Sequence, residues 1–199
     1  MTNQHFDVSL VSCTDYSKNE IKTALLSLLE PLGGLNFVKE GMTIAIKANL
    51  VTFARPEEAV TTHPTLICAL IELLRERGAA RVIVGDSPGG LYNATFLNKV
   101  YNVCGLSDAV ETAGGELNRN FGQREAHFED AKVARSFTYT SYLDEADAII
   151  DFCKLKTHGM MGMSAAAKNM FGTIPGTMKP EYHFRFPNVS DFSNMLVDI

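Results

Sequence analysis

From Cys153 to Gly172 the chain reads CKLKTHGMMGMSAAAKNMFG: three lysines and a histidine set among glycines, methionines and small residues, without one carboxylate. Residues 152–187 hold five Lys+Arg against a single acid, Glu181, in a chain whose formal net charge is -5. Ammonium groups beside glycines that let backbone N–H groups approach a ligand make a receptor for phosphate or carboxylate. Lys154, Lys156 and Lys168 are the expected clamp. Ser164 is expected to cap a short helix through Ala165–Ala167, whose start would add partial positive charge. His158, an imidazole among ammonium groups, should be neutral near pH 7 and is the acid/base candidate, with Lys156 beside it.

More polar residues stand at the ends of apolar runs. Lys47 and Asn49 close TIAIKAN, Asp86 and Ser87 close RVIVGDS, and Lys154, Lys156 and His158 close AIIDFCKLKTH. If these runs are parallel strands, their carboxyl ends form one rim, where ligands of open α/β sheets bind. Alternation puts Lys47 and Asn49 on one side, and Lys154, Lys156 and His158 on one side. His63, just before Pro64, either caps a helix or faces the rim. Asp86 could hold a lysine, a ribose hydroxyl or a metal. His63, Asp86, His158 and His183 are the residue types of a metal site but lack local ligand spacing. The segment GTIPGTMKPEYHFRFP (172–187), with Lys179, His183 and Arg185, reads as a flap over the rim.

The elements that must position these groups alternate. FDVSLVSC (6–13) reads as a strand, Ile21 to Leu32 as a helix ended by Gly33-Gly34, and 41–51 as a β-branched strand. Pro64 to Arg77 is a helix with Leu66, Ile67, Leu70, Ile71 and Leu74 in one stripe and Gly78 behind it. Residues 81–86 form the next strand and Asn93–Val103 the next helix; between 106 and 140 periodicity is weak, with one or two strands expected within ELNRNF and RSFTYTSY. ADAIIDFC (146–153) restores a buried strand, and 190–199 opens a helix behind Ser190. Strand, helix, strand, helix predicts an α/β, Rossmann-like, mostly parallel sheet with helices on both faces. One domain over 1–199 is expected, with the native chain continuing beyond a helix that stops in mid-pattern.

The bulk numbers bound the function. A hydrophobic share of 46% and a pI near 5.5 argue against general affinity for nucleic acid or an anionic membrane. The N-terminus lacks a signal-peptide pattern and no apolar run is long enough to span a bilayer, so a cytoplasmic location is expected. Cys13, Cys68, Cys104 and Cys153 lie too far apart for a zinc or ferredoxin-type ligand run and read as core thiols. The sequences G-x-G-x-x-G, G-x-S-x-G, H-E-x-x-H and the P-loop are absent.

The stretches IAIKANLV, TTHPTLICALIELLRERGA, VIVGDSPGG, KLKTHGMMGMSAAAKNMFGTIPG and KPEYH resemble, in order, the motifs of the domain-of-unknown-function family 362 over about residues 47 to 183. The resemblance carries over Lys47, Asn49, Thr62, His63, Pro64, Asp86, Ser87, Lys154, Lys156, Thr157, His158, Lys168, Asn169 and His183 as motif positions. It implies a cytoplasmic protein, and a 4Fe–4S cluster in family members that carry a ferredoxin-like module after this domain. No cofactor is expected within 1–199. The expected ligand, from the lysine and glycine pattern, is a small anionic molecule, in an enzyme or enzyme domain. The alternative is a domain of an iron–sulfur electron-transfer protein with a redox partner. The sequence leaves substrate, reaction and oligomeric state open.

Overall fold

The computed structural model describes residues 8–199. Four strands form one parallel sheet: β1 (Thr43–Lys47), β2 (Arg81–Gly85), β3 (Glu116–Leu117) and β6 (Ala148–Asp151), in the order β3-β2-β1-β6. The register aligns Lys47 with Gly85 on one side and with Asp151 on the other, so these three residues form a row at the carboxyl ends. The chain moves outward from β1 through β2 to β3, then returns to the far side of β1 with β6. The direction of crossover therefore reverses between β1 and β6, and that reversal opens a crevice above their carboxyl ends.

Each connection follows from its residues. Helix α1 (Lys18–Leu29) buries Ile21 and Leu25. Helix α2 (Pro64–Glu76) starts with Pro at its first position and His63 as cap, and buries Ile67, Leu70, Ile71 and Leu74. Helix α3 (Ala94–Val103) is capped by Asn93, whose Oδ1 accepts from Phe96 N–H at 2.9 Å. A six-residue helix, α4 (Ser107–Thr112), precedes β3.

Buried residues of all four helices join Ile44, Ile46, Val82 and Val84 in one core, on one face of the sheet. The opposite face, Ala45 and Ile83, is covered by Tyr142 and Leu143 of the 3-10 segment Ser141–Glu145. The expectation of helices on both faces is thus refined: residues 141–145 are too few for an α-helix spanning the sheet, and Ile149, at the β6 edge, stays 45% exposed.

An antiparallel hairpin, β4 (Gln123–His127) with β5 (Ser136–Thr140), stands outside the main sheet. A second hairpin, β7 (Lys156–His158) with β8 (Gly162–Ser164), leads into the short helix α5 (Ala166–Met170), then α6 (Lys179–Arg185) and α7 (Val189–Asp198). Phe171, Ile174, Tyr182, Phe186, Phe192, Met195 and Leu196 form a second core with Ala134. Asp198 ties α7 back by accepting the N–H groups of Lys132, Val133 and Ala134 at 2.8–2.9 Å.

Several expectations need correction. Residues 8–13 form no strand: Val8 and Leu10 are 80% and 94% exposed, and the alternation finds no sheet to join; residues 6 and 7 lie outside the described range. Asn188, not Ser190, caps α7. Ser164 ends β8 and makes no cap, because α5 begins two residues later behind Ala165. Residues 172–187, read as a flap over the rim, fold into short helices, and α6 with the residue after it buries Tyr182 and Phe186.

Candidate functional site

Beyond the carboxyl ends of β1 and β2 lies a cleft of about 180 Å³ lined by Asn49, Val51, Asp86, Ser87, Pro88, Gly89, Lys156, His158, Ser164, Lys168, Asn169, Phe171, Gly172, Lys179 and His183. A larger depression of about 560 Å³ beside β3 holds Arg81, Glu116 and Glu145, but there the charges pair with one another. The cleft is different: ammonium groups outnumber the carboxylate.

Its floor is a buried ion pair. Lys47 Nζ lies 2.7 Å from Asp86 Oδ1, with the two residues 0% and 3% exposed. Lys47 also donates to Ala48 O at 2.7 Å and to Asn169 Oδ1 at 3.1 Å. Asp86 accepts from Leu50 N–H at 2.7 Å and Ser87 N–H at 2.9 Å. An ion pair so enclosed persists only when its remaining lone pairs and protons are satisfied, as they are here. Gly172 closes over the pair, and a Cβ there would collide with Asp86 Oδ1 and Lys47 Nζ.

Asn169 links this floor to the walls. Its Oδ1 also accepts from Asn49 Nδ2 at 2.7 Å, and its Nδ2 donates to Asp151 Oδ1. Burial raises the pKa of Asp151, against the Asn169 hydrogen bond. Asn49 Oδ1 in turn accepts from Lys156 Nζ at 2.6 Å, and Lys156 donates again to Val60 O at 2.7 Å. Thr62 holds the strand exits together, accepting from Asn49 N–H at 3.0 Å and donating to Phe152 O at 2.8 Å.

The opposite wall comes from the chain after α5. Ser87 is the junction: its N–H donates to Gly172 O at 3.0 Å, its Oγ accepts from Gly176 N–H at 2.8 Å, and its carbonyl accepts from Lys179 Nζ. Lys168 Nζ lies 4.8 Å from the centre of the Phe171 ring, and Lys179 Nζ lies 5.9 Å from it. His183 stacks on Phe192 at 4.6 Å.

Burial first, and like charge after it, lowers the pKa of the cleft lysines Lys156, Lys168 and Lys179 and of both histidines. Desolvation, with the charges of Lys47 and Lys168 against that of Asp86, brings Lys179 down to about 8. Desolvation and neighbouring lysines also lower Lys156 and Lys168. His158 and His183 are lowered first by desolvation and then by Lys168, so both imidazoles are neutral at pH 7. His158 Nδ1 accepts from Met161 N–H at 3.1 Å, which places its proton on Nε2. Toward the cleft His158 is therefore a neutral hydrogen-bond donor through Nε2–H.

The structure brings together Asn49, Asp86, Ser87, Lys156, His158, Ser164, Lys168, Asn169 and His183. Lys47 lies beneath them, wholly buried. Thr157 sits opposite Met163 in the β7–β8 hairpin with its side chain exposed, on the other side from Lys156 and His158. Lys154 is not a lining residue; its charge acts on His63. His63 caps α2, accepting from Thr65 N–H at 3.3 Å, and stacks on Tyr16 at 3.8 Å. It stands apart from the cleft, which removes it from the four-residue metal set; among the described residues no three His, Cys, Asp or Glu side chains are gathered as ligands. Lys179 was legible only as part of a basic loop, and Asp151 only as a strand residue.

Among the described residues no helix is long and apolar enough to cross a membrane. The family described as Domain of unknown function (DUF362) matches residues 44–199. The chain is 34% identical over 194 residues to the Thylakoid-associated protein sll1697 of Synechocystis sp. (strain ATCC 27184 / PCC 6803 / Kazusa), covering 96% of this chain and 58% of that protein. It thus spans little more than half the length of that curated relative. No solved structure matches.

Proposed function

We propose, for a chain that belongs to the DUF362 family, that the cleft beyond the carboxyl ends of β1 and β2 binds a small anion, a carboxylate or phosphate, as the substrate site of an enzyme domain. The observation that carries this reading is the charge balance of the cleft. Lys156, Lys168 and Lys179 line it with a single carboxylate, Asp86, which already serves Lys47. An anion gives the three lysines, lowered by burial and then by mutual repulsion, a compensating charge and accepts their remaining protons in charge-assisted hydrogen bonds. His158 Nε2–H and His183 add neutral donors, and about 180 Å³ fits a ligand of a few heavy atoms better than a nucleotide.

Titration calorimetry with inorganic phosphate, sulfate and small carboxylates tests the site. Binding by wild type and at least about tenfold weaker binding by Lys156→Met supports it, since one charge-assisted hydrogen bond contributes about 1.5–3 kcal/mol. Equal affinity in both proteins, or none in wild type, refutes it. The electron-transfer alternative draws on sequence outside the described residues, and nothing in the cleft favours it. We place the protein in the cytoplasm. Recovery in washed membranes on fractionation, as the name of the thylakoid-associated relative invites, would overturn that placement.

A further inference from the structure

Two of the three cleft lysines are committed to protein acceptors. Lys156 donates to Asn49 Oδ1 and Val60 O, and Lys179 donates to the Ser87 carbonyl. Lys168 differs. Among the described residues it has no hydrogen-bond acceptor and no carboxylate partner, and its amine rests over the rings of Phe171 and Phe192 at 4.8 and 6.0 Å. An amine without an acceptor, half-buried and with other ammonium groups nearby, has the desolvation and like-charge neighbours that activate lysine as a nucleophile, although the ring faces favour its cation.

We propose that Lys168 forms an imine with small 2-oxo acids, whose carboxylate is held by Lys156 and Lys179. This rests on the small-anion reading and names the class of anion. Desolvation and the charges of Lys47 and Lys156 favour the neutral amine that the reaction requires. The Lys168 Nζ lone pair attacks the carbonyl carbon. A proton passes from nitrogen to oxygen to give a carbinolamine, and loss of one water leaves the C=N bond. Amine and carbonyl are consumed, imine and water are formed, and nothing is oxidised or reduced. His158, whose Nδ1 is occupied by Met161 N–H, has Nε2–H available to donate a hydrogen bond to the departing oxygen, whose proton comes from the amine through solvent.

The test treats the full chain with pyruvate or glyoxylate and sodium borohydride, which reduces C=N to a stable secondary amine, and maps the adduct by peptide mass spectrometry. Binding of inorganic phosphate is measured in parallel by calorimetry. The expected result is an adduct on Lys168 in clear excess over that on the other lysines, suppressed by phosphate and absent from Lys168→Arg. Mapping in the wild-type protein decides the matter even where that variant fails to fold. Phosphate binding without an adduct overturns the imine and leaves the anion site standing. An adduct spread evenly over lysines also overturns it, and loss of both adduct and phosphate binding overturns both readings.

Discussion

Replacing Asp86 with Asn keeps the shape of the side chain and deletes its charge. The carboxylate accepts three bonds at 2.7–2.9 Å, from Lys47 Nζ, Leu50 N–H and Ser87 N–H. An asparagine offers one oxygen and turns an NH2 toward donors, so at least one of the three loses its acceptor. More costly is Lys47, 0% exposed, which is left charged and unpaired with Lys168 and Lys179 nearby. Breaking a buried ion pair by removing one partner costs about 3–5 kcal/mol, against a total stability of about 5–15 kcal/mol. At about 2–4 °C per kcal/mol for a chain of this size, the melting temperature should fall by about 6–20 °C. Urea unfolding followed by circular dichroism measures the loss. Lys47→Met combined with Asp86→Asn removes the orphaned charge and should recover much of the stability, a coupling the double-mutant cycle reads directly. A cost below about 1 kcal/mol for Asp86→Asn, the value of an exposed pair, or strict additivity in the cycle would refute the reasoning.

Lys168→Ala should weaken phosphate or carboxylate binding about three- to tenfold, measured by calorimetry, because it removes a hydrogen-bond donor that contributes about 0.5–1.5 kcal/mol. Anion affinity should fall as pH rises through about 8, where Lys179 loses its charge; a flat profile from pH 7 to 9 would show that its ammonium takes no part. Stability without ligand should move the other way. A lysine at about 8 when folded and 10.5 when unfolded leaves the unfolded state holding more protons between those values, so this group's contribution rises with pH across that window. Gly172→Ala drives a Cβ into the Lys47–Asp86 pair and should cost about 1–3 kcal/mol or more, as overpacking does; an unchanged urea midpoint would show that the loop can yield.

The residues of β1, α2 and β2 were readable because apolar runs of the right period end at Asn49, Gly78 and Asp86, so the three strand exits and most of the rim followed from alternation. The β4–β5 hairpin was only half seen. Gln123, Arg124, Glu125 and His127 are exposed and polar, so β4 has neither a buried face nor an apolar pattern to betray it. Residues 8–13 show the converse, an alternating pattern with no partner. Lys179 and Asp151 join the site through contacts that local spacing does not encode, since the folding of 171–186 against Ser87 is set by the buried positions of Phe171, Tyr182 and Phe186. Ser164 looked like a cap because serine before alanines commonly is one; pairing with Lys156 in a hairpin took precedence.

Ser87 engages its amide, hydroxyl and carbonyl with Gly172, Gly176 and Lys179 respectively. One residue thus sutures the exit of a central strand to a segment some ninety positions later. Parting the two walls means releasing all three contacts at once, so the gap has no cheap hinge and should breathe only with larger excursions of the second core. Amide protons at 87 and 176 would then exchange among the slow ones, at the rate of that collective opening and not of a surface loop. A visitor meets a vessel already shaped, and little of its attraction is spent on arranging the walls.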